Sequence, residues 1–108
     1  MYGNPQRREM TDVKALRCEG GRWLKDRRER LGLSQRQLAL RVGAEYYTFI
    51  SQLETGRGRI PPDRYKDWAE ALEMGSPDFV RQILRYYDPI THDLLFPHDG
   101  EPNQGAAR

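Results

Sequence analysis

The sequence is short of the ingredients that several function classes require. One cysteine, Cys18, stands alone among 108 residues. A lone thiol forms no intramolecular disulfide, and no Cys/His spacing suits a metal site, so neither a disulfide framework nor a bound metal is expected. Apolar residues make up 37% of the chain, in short runs only. A membrane span needs roughly 18 in succession. The first residues carry no signal-peptide apolar region, which leads us to expect a cytoplasmic protein. Runs of Val, Ile and Thr are scarce, which disfavours strands. Phosphate-cradling and dinucleotide fingerprints are missing, because Gly56-Arg57-Gly58 lacks both a following glycine and a preceding strand. The two histidines, His92 and His98, each precede an aspartate in a stretch without pocket-forming sequence. We expect them to be solvated, and expect neither catalysis nor a cofactor.

Charge is abundant, at 31% of residues, and nearly balanced, at +2 overall. Its distribution is more informative than its sum. Between Arg22 and Arg41 seven Arg and Lys residues face only Asp26 and Glu29. Between Arg57 and Lys66 four cations face only Asp63, and from Asp67 onward acids outnumber bases. Positive charge gathered on two neighbouring segments is the pattern of a face that meets phosphate.

Periodicity and breakers divide the chain. Residues 1–20 read as an N-terminal arm, loose to about residue 10. Thr11-Asp12 can cap a short helix that Gly20-Gly21 ends. Leu24, Arg28 and Leu31 share a stripe from Arg22 to Leu31, flanked by Trp23. Gly32 suits the residue just past a helix end. Ser34 then caps a helix from Gln35 to Val42, with Gln37 completing a capping box. Leu38, Ala39 and Val42 form its inward side, and Gly43 ends it. The next helix is expected from Glu45 or Tyr46 to Thr55. Tyr46, Phe49, Ile50 and Leu53 face the core, while Tyr47, Thr48, Ser51 and Gln52 face outward. After the loop Arg57–Pro62, Asp63 caps a helix through about Glu73, with Tyr65, Trp68, Ala69 and Leu72 inside. Ser76-Pro77 opens another, with Phe79, Val80, Ile83, Leu84 and Tyr87 inside. Residues 21–96 thus form one domain, Ile90 to Phe96 being apolar enough to pack on something. Residues 97–108 read as a disordered tail.

Gly32-Leu33-Ser34-Gln35, Leu38-Ala39, Gly43, Ile50-Ser51-Gln52-Leu53-Glu54, Gly56 and Ala69-Glu70-Ala71-Leu72 occur in this order, with Leu24 and Arg28 ahead of them. From about Arg22 to Tyr87 the chain resembles the Cro/lambda-repressor-like (Xre-type) helix-turn-helix family. The resemblance implies an all-α, five-helix DNA-binding domain with flexible N- and C-terminal extensions. It implies that the helix at about 45–55 enters the major groove, with Tyr47, Thr48, Ser51 and Gln52 facing bases. Gln35 is a backbone contact in the family, and a helix N-terminus favours phosphate on physical grounds too. By the same resemblance Arg57 and Arg59 lie in the loop that follows the DNA backbone, with Arg64 and Arg36 as further phosphate-binding candidates. Arg28 and Glu54 match a buried structural ion pair.

Three features depart from the family pattern. The turn holds one extra residue, through Ala44-Glu45. The recognition helix is rich in aromatic side chains, and Glu45 falls near the duplex. The expected function is a sequence-specific transcriptional regulator bound to double-stranded DNA, working as a homodimer because one short helix reads few bases. Tyr86, Ile90, Leu94, Leu95 and Phe96 are the expected dimer surface. Two other readings share the fold. One is an antitoxin, whose acidic C-terminus engages a toxin partner. The other is a protein-interaction module that has lost DNA binding.

Overall fold

The computed structural model describes residues 5–99, with side chains from residue 13 onward. All regular structure among the described residues is helical, with α1 (Pro5–Arg30), α2 (Gln35–Val42), α3 (Thr48–Glu54), α4 (Tyr65–Ala71), α5 (Ser76–Tyr87), α6 (Pro89–Leu95) and a 3₁₀ turn at Pro62–Arg64. Helix α6 is additional to the expected five. The expected loose extensions fall partly on residues 1–4 and 100–108, which lie outside the described residues.

Helix α1 does not break at Gly20-Gly21. Each interior glycine costs a helix about 1 kcal/mol relative to alanine. Here close packing requires them. A Cβ on Gly21 would lie 2.3 Å from the Glu54 carbonyl oxygen, and one on Gly20 would lie 2.8 Å from Tyr86 Cβ. The pair therefore lets α1 run against the end of α3 and the side of α5. Gly56 completes this junction, with φ +82° and a would-be Cβ only 2.9 Å from the Cys18 backbone nitrogen. Cys18 itself is half-buried at this seam, its Sγ 3.7 Å from the Thr55 carbonyl, and is not part of a loose arm.

Helix α2 begins with the reciprocal cap its sequence suggests. Ser34 Oγ accepts from the Gln37 backbone N–H at 3.0 Å, and Gln37 Oε1 accepts from the Ser34 N–H at 2.7 Å. Its last turn is tied to α4 side, where Arg41 donates to the Ala71 carbonyl at 2.9 Å and pairs with Glu73 at 3.0 Å. Two other helix starts differ from expectation. Asp63 lies inside the 3₁₀ turn, and α4 opens without a side-chain cap. Ser76 is the first residue of α5, with Gly75 in the capping position. Pro62 and Pro77, each in the first two positions of its helical turn, supply the fixed φ that favours these starts.

Leu24, Leu38, Ile50, Leu53, Ile60, Trp68, Leu72, Phe79 and Ile83 fill the core between α1 to α5. Trp23 lies 5.9 Å from Phe79 and 6.3 Å from Tyr86 between ring centroids, extending the core along the α1–α5 seam. Tyr46 and Phe49 are outside it, contrary to expectation. Tyr46 precedes α3, so helical spacing does not carry it inward, and it is 66% exposed. Phe49 sits at the rim of an open apolar groove of about 370 Å³, with Val42, Pro61 and Trp68.

His92 is not solvated. It is 3% exposed, with Nε2 2.7 Å from Asp99 Oδ2 and Nδ1 3.0 Å from Asp93 Oδ1. Arg81 donates to both Asp99 oxygens at 2.7 and 3.1 Å. These bonds, with Arg81 leading, pull the Asp99 carboxyl down to about 2. The expected tail at 97–108 therefore starts as an anchored turn at its first residues.

Candidate nucleic-acid interface

Helices α2 and α3 are held as one unit by a single carboxylate. Arg28, on α1, donates through Nε to Glu54 Oε2 at 2.7 Å and through Nη2 to Oε1 at 3.0 Å. Its Nη1 reaches the Leu33 carbonyl at 2.8 Å, at the entrance to α2. Both side chains are nearly buried. The bonded Glu54 carboxylate raises the Arg28 guanidinium above its ordinary value. Gln35 Nε2 adds a third bond to Glu54 Oε1 at 3.1 Å. A carboxamide has two N–H donors. Gln35 thus keeps its side chain oriented by one and has the other for an outside acceptor.

Helix α3 starts two to three residues later than expected, with Tyr47 at the N-cap position and no side-chain cap. Its inner side is Ile50, Leu53 and Glu54. Tyr47, Thr48 and Gln52 are exposed and Ser51 is half-buried, so the four form one outward polar-aromatic face. Arg36 of α2 stacks its guanidinium 4.6 Å from the Tyr47 ring centroid. That contact joins the outer sides of the two helices. Thr55 Oγ1 returns to the Ser51 and Gln52 carbonyls, both at 3.1 Å, and the Arg57 N–H bonds the Gln52 carbonyl at 2.9 Å. These bonds close α3 and aim the chain into the arginine loop.

The cations around this face fall into two groups. Arg36, Arg57 and Arg59 are exposed and have no carboxylate within ion-pair distance among the described residues. Arg59 lies 5.2 Å from the Tyr87 ring centroid, and Tyr87 accepts the Ile60 N–H at 3.3 Å, which fixes the loop. Burial raises the Tyr87 phenol above its ordinary value, against the pull of nearby Arg59. Arg64 belongs to the other group. It donates to the Val42 carbonyl at the end of α2 and pairs with Asp67 at 3.1 Å. It therefore caps α2 with part of its guanidinium, unlike Arg36, Arg57 and Arg59. Glycine-ended helices leave carbonyls that a basic side chain can satisfy, which is the sequence signal for this role.

The expected dimer residues separate in the same way. Tyr86 packs on Trp23 and accepts from Gln82 at 2.8 Å, and Phe96 packs under Arg81 and against His92. Both are half-buried in their own chain. Ile90 and Leu94, one turn apart on α6, are 74% and 77% exposed, with Leu95 beside them.

A short helix presenting polar and aromatic side chains, braced by a second helix and bordered by arginines that no described carboxylate pairs with, defines a DNA-binding helix-turn-helix domain. A helix-turn-helix family model matches residues 24–80, more than half of the chain. The protein belongs to this Xre/lambda-repressor-like family of DNA-binding regulators. No curated protein matches the chain. No helix among the described residues is long and apolar enough to cross a membrane.

Proposed function

We propose that the protein is a sequence-specific transcriptional regulator that lays α3 in the major groove of duplex DNA. Tyr47, Thr48, Ser51 and Gln52 face the bases. Gln52 is suited to bidentate bonding with adenine N6 and N7, and Thr48 to a thymine methyl. Gln35, Arg36, Arg57 and Arg59 hold phosphates on either side, which fixes register without reading sequence. A second copy docks through Ile90, Leu94 and Leu95 of α6, so that two recognition helices address two half-sites. The observation that carries this reading is the outward face of α3 lying between arginines that no carboxylate among the described residues neutralises.

A second reading has its own observation. Tyr46 and Tyr47 are 66% and 42% exposed at the start of α3, which suits an interaction module that docks on protein. Selection of duplexes from a random pool separates the two. A regulator enriches a consensus with two-fold symmetry. A module without DNA binding enriches nothing, and that result overturns our proposal.

A further inference from the structure

We propose that Arg17, which lies ahead of the family-matched span, is a further phosphate ligand and extends the duplex footprint onto α1. The inference rests on the DNA-binding reading above. Arg17 is half-buried, and its Nε is buried without any hydrogen-bond partner among the described residues. Arg28, Arg30, Arg41, Arg64 and Arg81 all have carboxylates, whereas Arg17 has none among the described residues. A guanidinium held by a buried stem and left without a counter-charge is poised for an external anion.

Its position selects the anion. The Arg17 backbone carbon would stand 3.1 Å from a Cβ on Gly56, the residue that directly precedes Arg57. Helix α1 is thus pressed against the arginine loop at this residue. Arg17 and Arg59 both act on the Tyr87 phenol, each pulling its pKa down against burial. Two like charges therefore converge on one ring. Asp88, whose carboxyl is held low first by its bonds to Thr91 and last by Arg59, forms no ion pair with either arginine among the described residues. Asp88 is engaged as the α6 cap, accepting from Thr91 N at 3.1 Å and Thr91 Oγ1 at 2.7 Å. A phosphodiester running past Arg57 and Arg59 supplies the missing negative charge. Arg57 and Arg59 follow the matched recognition helix in sequence, but Arg17 is brought to them by the unbroken α1.

The test is a salt titration of the full chain on random-sequence duplex, read as log affinity against log KCl concentration. Arg17→Gln should lower the slope by about 0.9, the contribution of one phosphate contact. Arg17→Lys, which keeps the charge, should retain the wild-type slope. Arg57→Gln is the comparison. If Arg57→Gln lowers the slope and Arg17→Gln does not, the Arg17 inference fails and the DNA-binding reading stands. A loss in Arg17→Lys equal to that in Arg17→Gln also overturns it, because charge is then not the cause. If the wild-type chain shows no salt-dependent binding, both fall together. Should Arg17→Gln fail to fold, phosphate-ethylation interference with wild-type protein on a selected duplex decides. An interfering phosphate beyond those lost in Gln35→Ala, Arg36→Gln, Arg57→Gln and Arg59→Gln supports the inference, and its absence overturns it.

Discussion

Arg28 and Glu54 meet through two hydrogen bonds of 2.7 and 3.0 Å, twenty-six residues apart in sequence, with almost no access to water. Removing one partner leaves the other as an uncompensated buried charge. Arg28→Ala or Glu54→Ala should each destabilise the domain by about 3–5 kcal/mol. Replacing both, as Arg28→Met with Glu54→Leu, should recover much of that loss because no charge is stranded. Thermal and urea unfolding of the three variants checks this, and an unchanged melting temperature in Arg28→Ala refutes it.

Gly21 has no room for a methyl group. Gly21→Ala would drive a Cβ to 2.3 Å from a backbone oxygen, which cannot give way as a flexible side chain can. The expected cost is about 1–3 kcal/mol, as for other overpacked interiors. Gly58→Ala is the control, since its nearest neighbour is a Leu53 methyl at 3.8 Å. Chemical denaturation should show a clear loss for the first and little for the second.

Gln52 and Arg57 should fail in different ways on DNA. Gln52→Ala should weaken cognate binding by about 1–3 kcal/mol and relax preference at one base pair. Arg57→Gln should weaken all duplexes alike and reduce the salt slope by about 0.9. Equal losses on cognate and scrambled sequences for Gln52→Ala would remove it from base reading.

Asp99 makes the segment after α6 sensitive to acid. Its carboxyl is depressed from 3.8 to about 2 in the folded chain, first by Arg81 and then by His92. A depressed acid stabilises the fold above its unfolded value, and that stability is lost as pH falls toward the folded value. Asp99→Asn should therefore destabilise the protein at neutral pH. The difference from wild type should shrink between about pH 4 and pH 2. Paired unfolding curves across that range provide the measurement, and a difference independent of pH would sink the assignment.

Ile90 and Leu94 present an apolar stripe that none of the described residues covers. Ile90→Lys with Leu94→Lys should shift sedimentation toward the monomer while leaving helix content unchanged. It should also weaken binding to a two-fold symmetric site more than to a single half-site. A wild-type protein that sediments as a monomer with and without DNA excludes this surface.

Local chemistry made much of this molecule legible. The Ser34–Gln37 box and the glycine after α2 act through bonds between near neighbours, so their sequence pattern carries the outcome. Gly20-Gly21 misled because the same residue pair that weakens a helix also permits close contact. Only the position of the Glu54 carbonyl and Tyr86 decides between those roles. Tyr46 was misassigned because the extra residue in the turn delays α3 to Thr48. His92 is enclosed because the turn after α6 folds Asp99 back onto it and Arg81 of α5 fixes that carboxylate, a fold-back that spacing along the segment does not reveal.

One oxygen of Glu54 accepts from both Arg28 and Gln35, which belong to the end of one helix and the start of the next. The span between the start of α2 and the outward side of α3 is consequently set in the free chain. Adjustment on docking then falls to the nucleic acid, whose groove width and pliability vary with its base steps. Discrimination should extend to operator positions that no side chain touches.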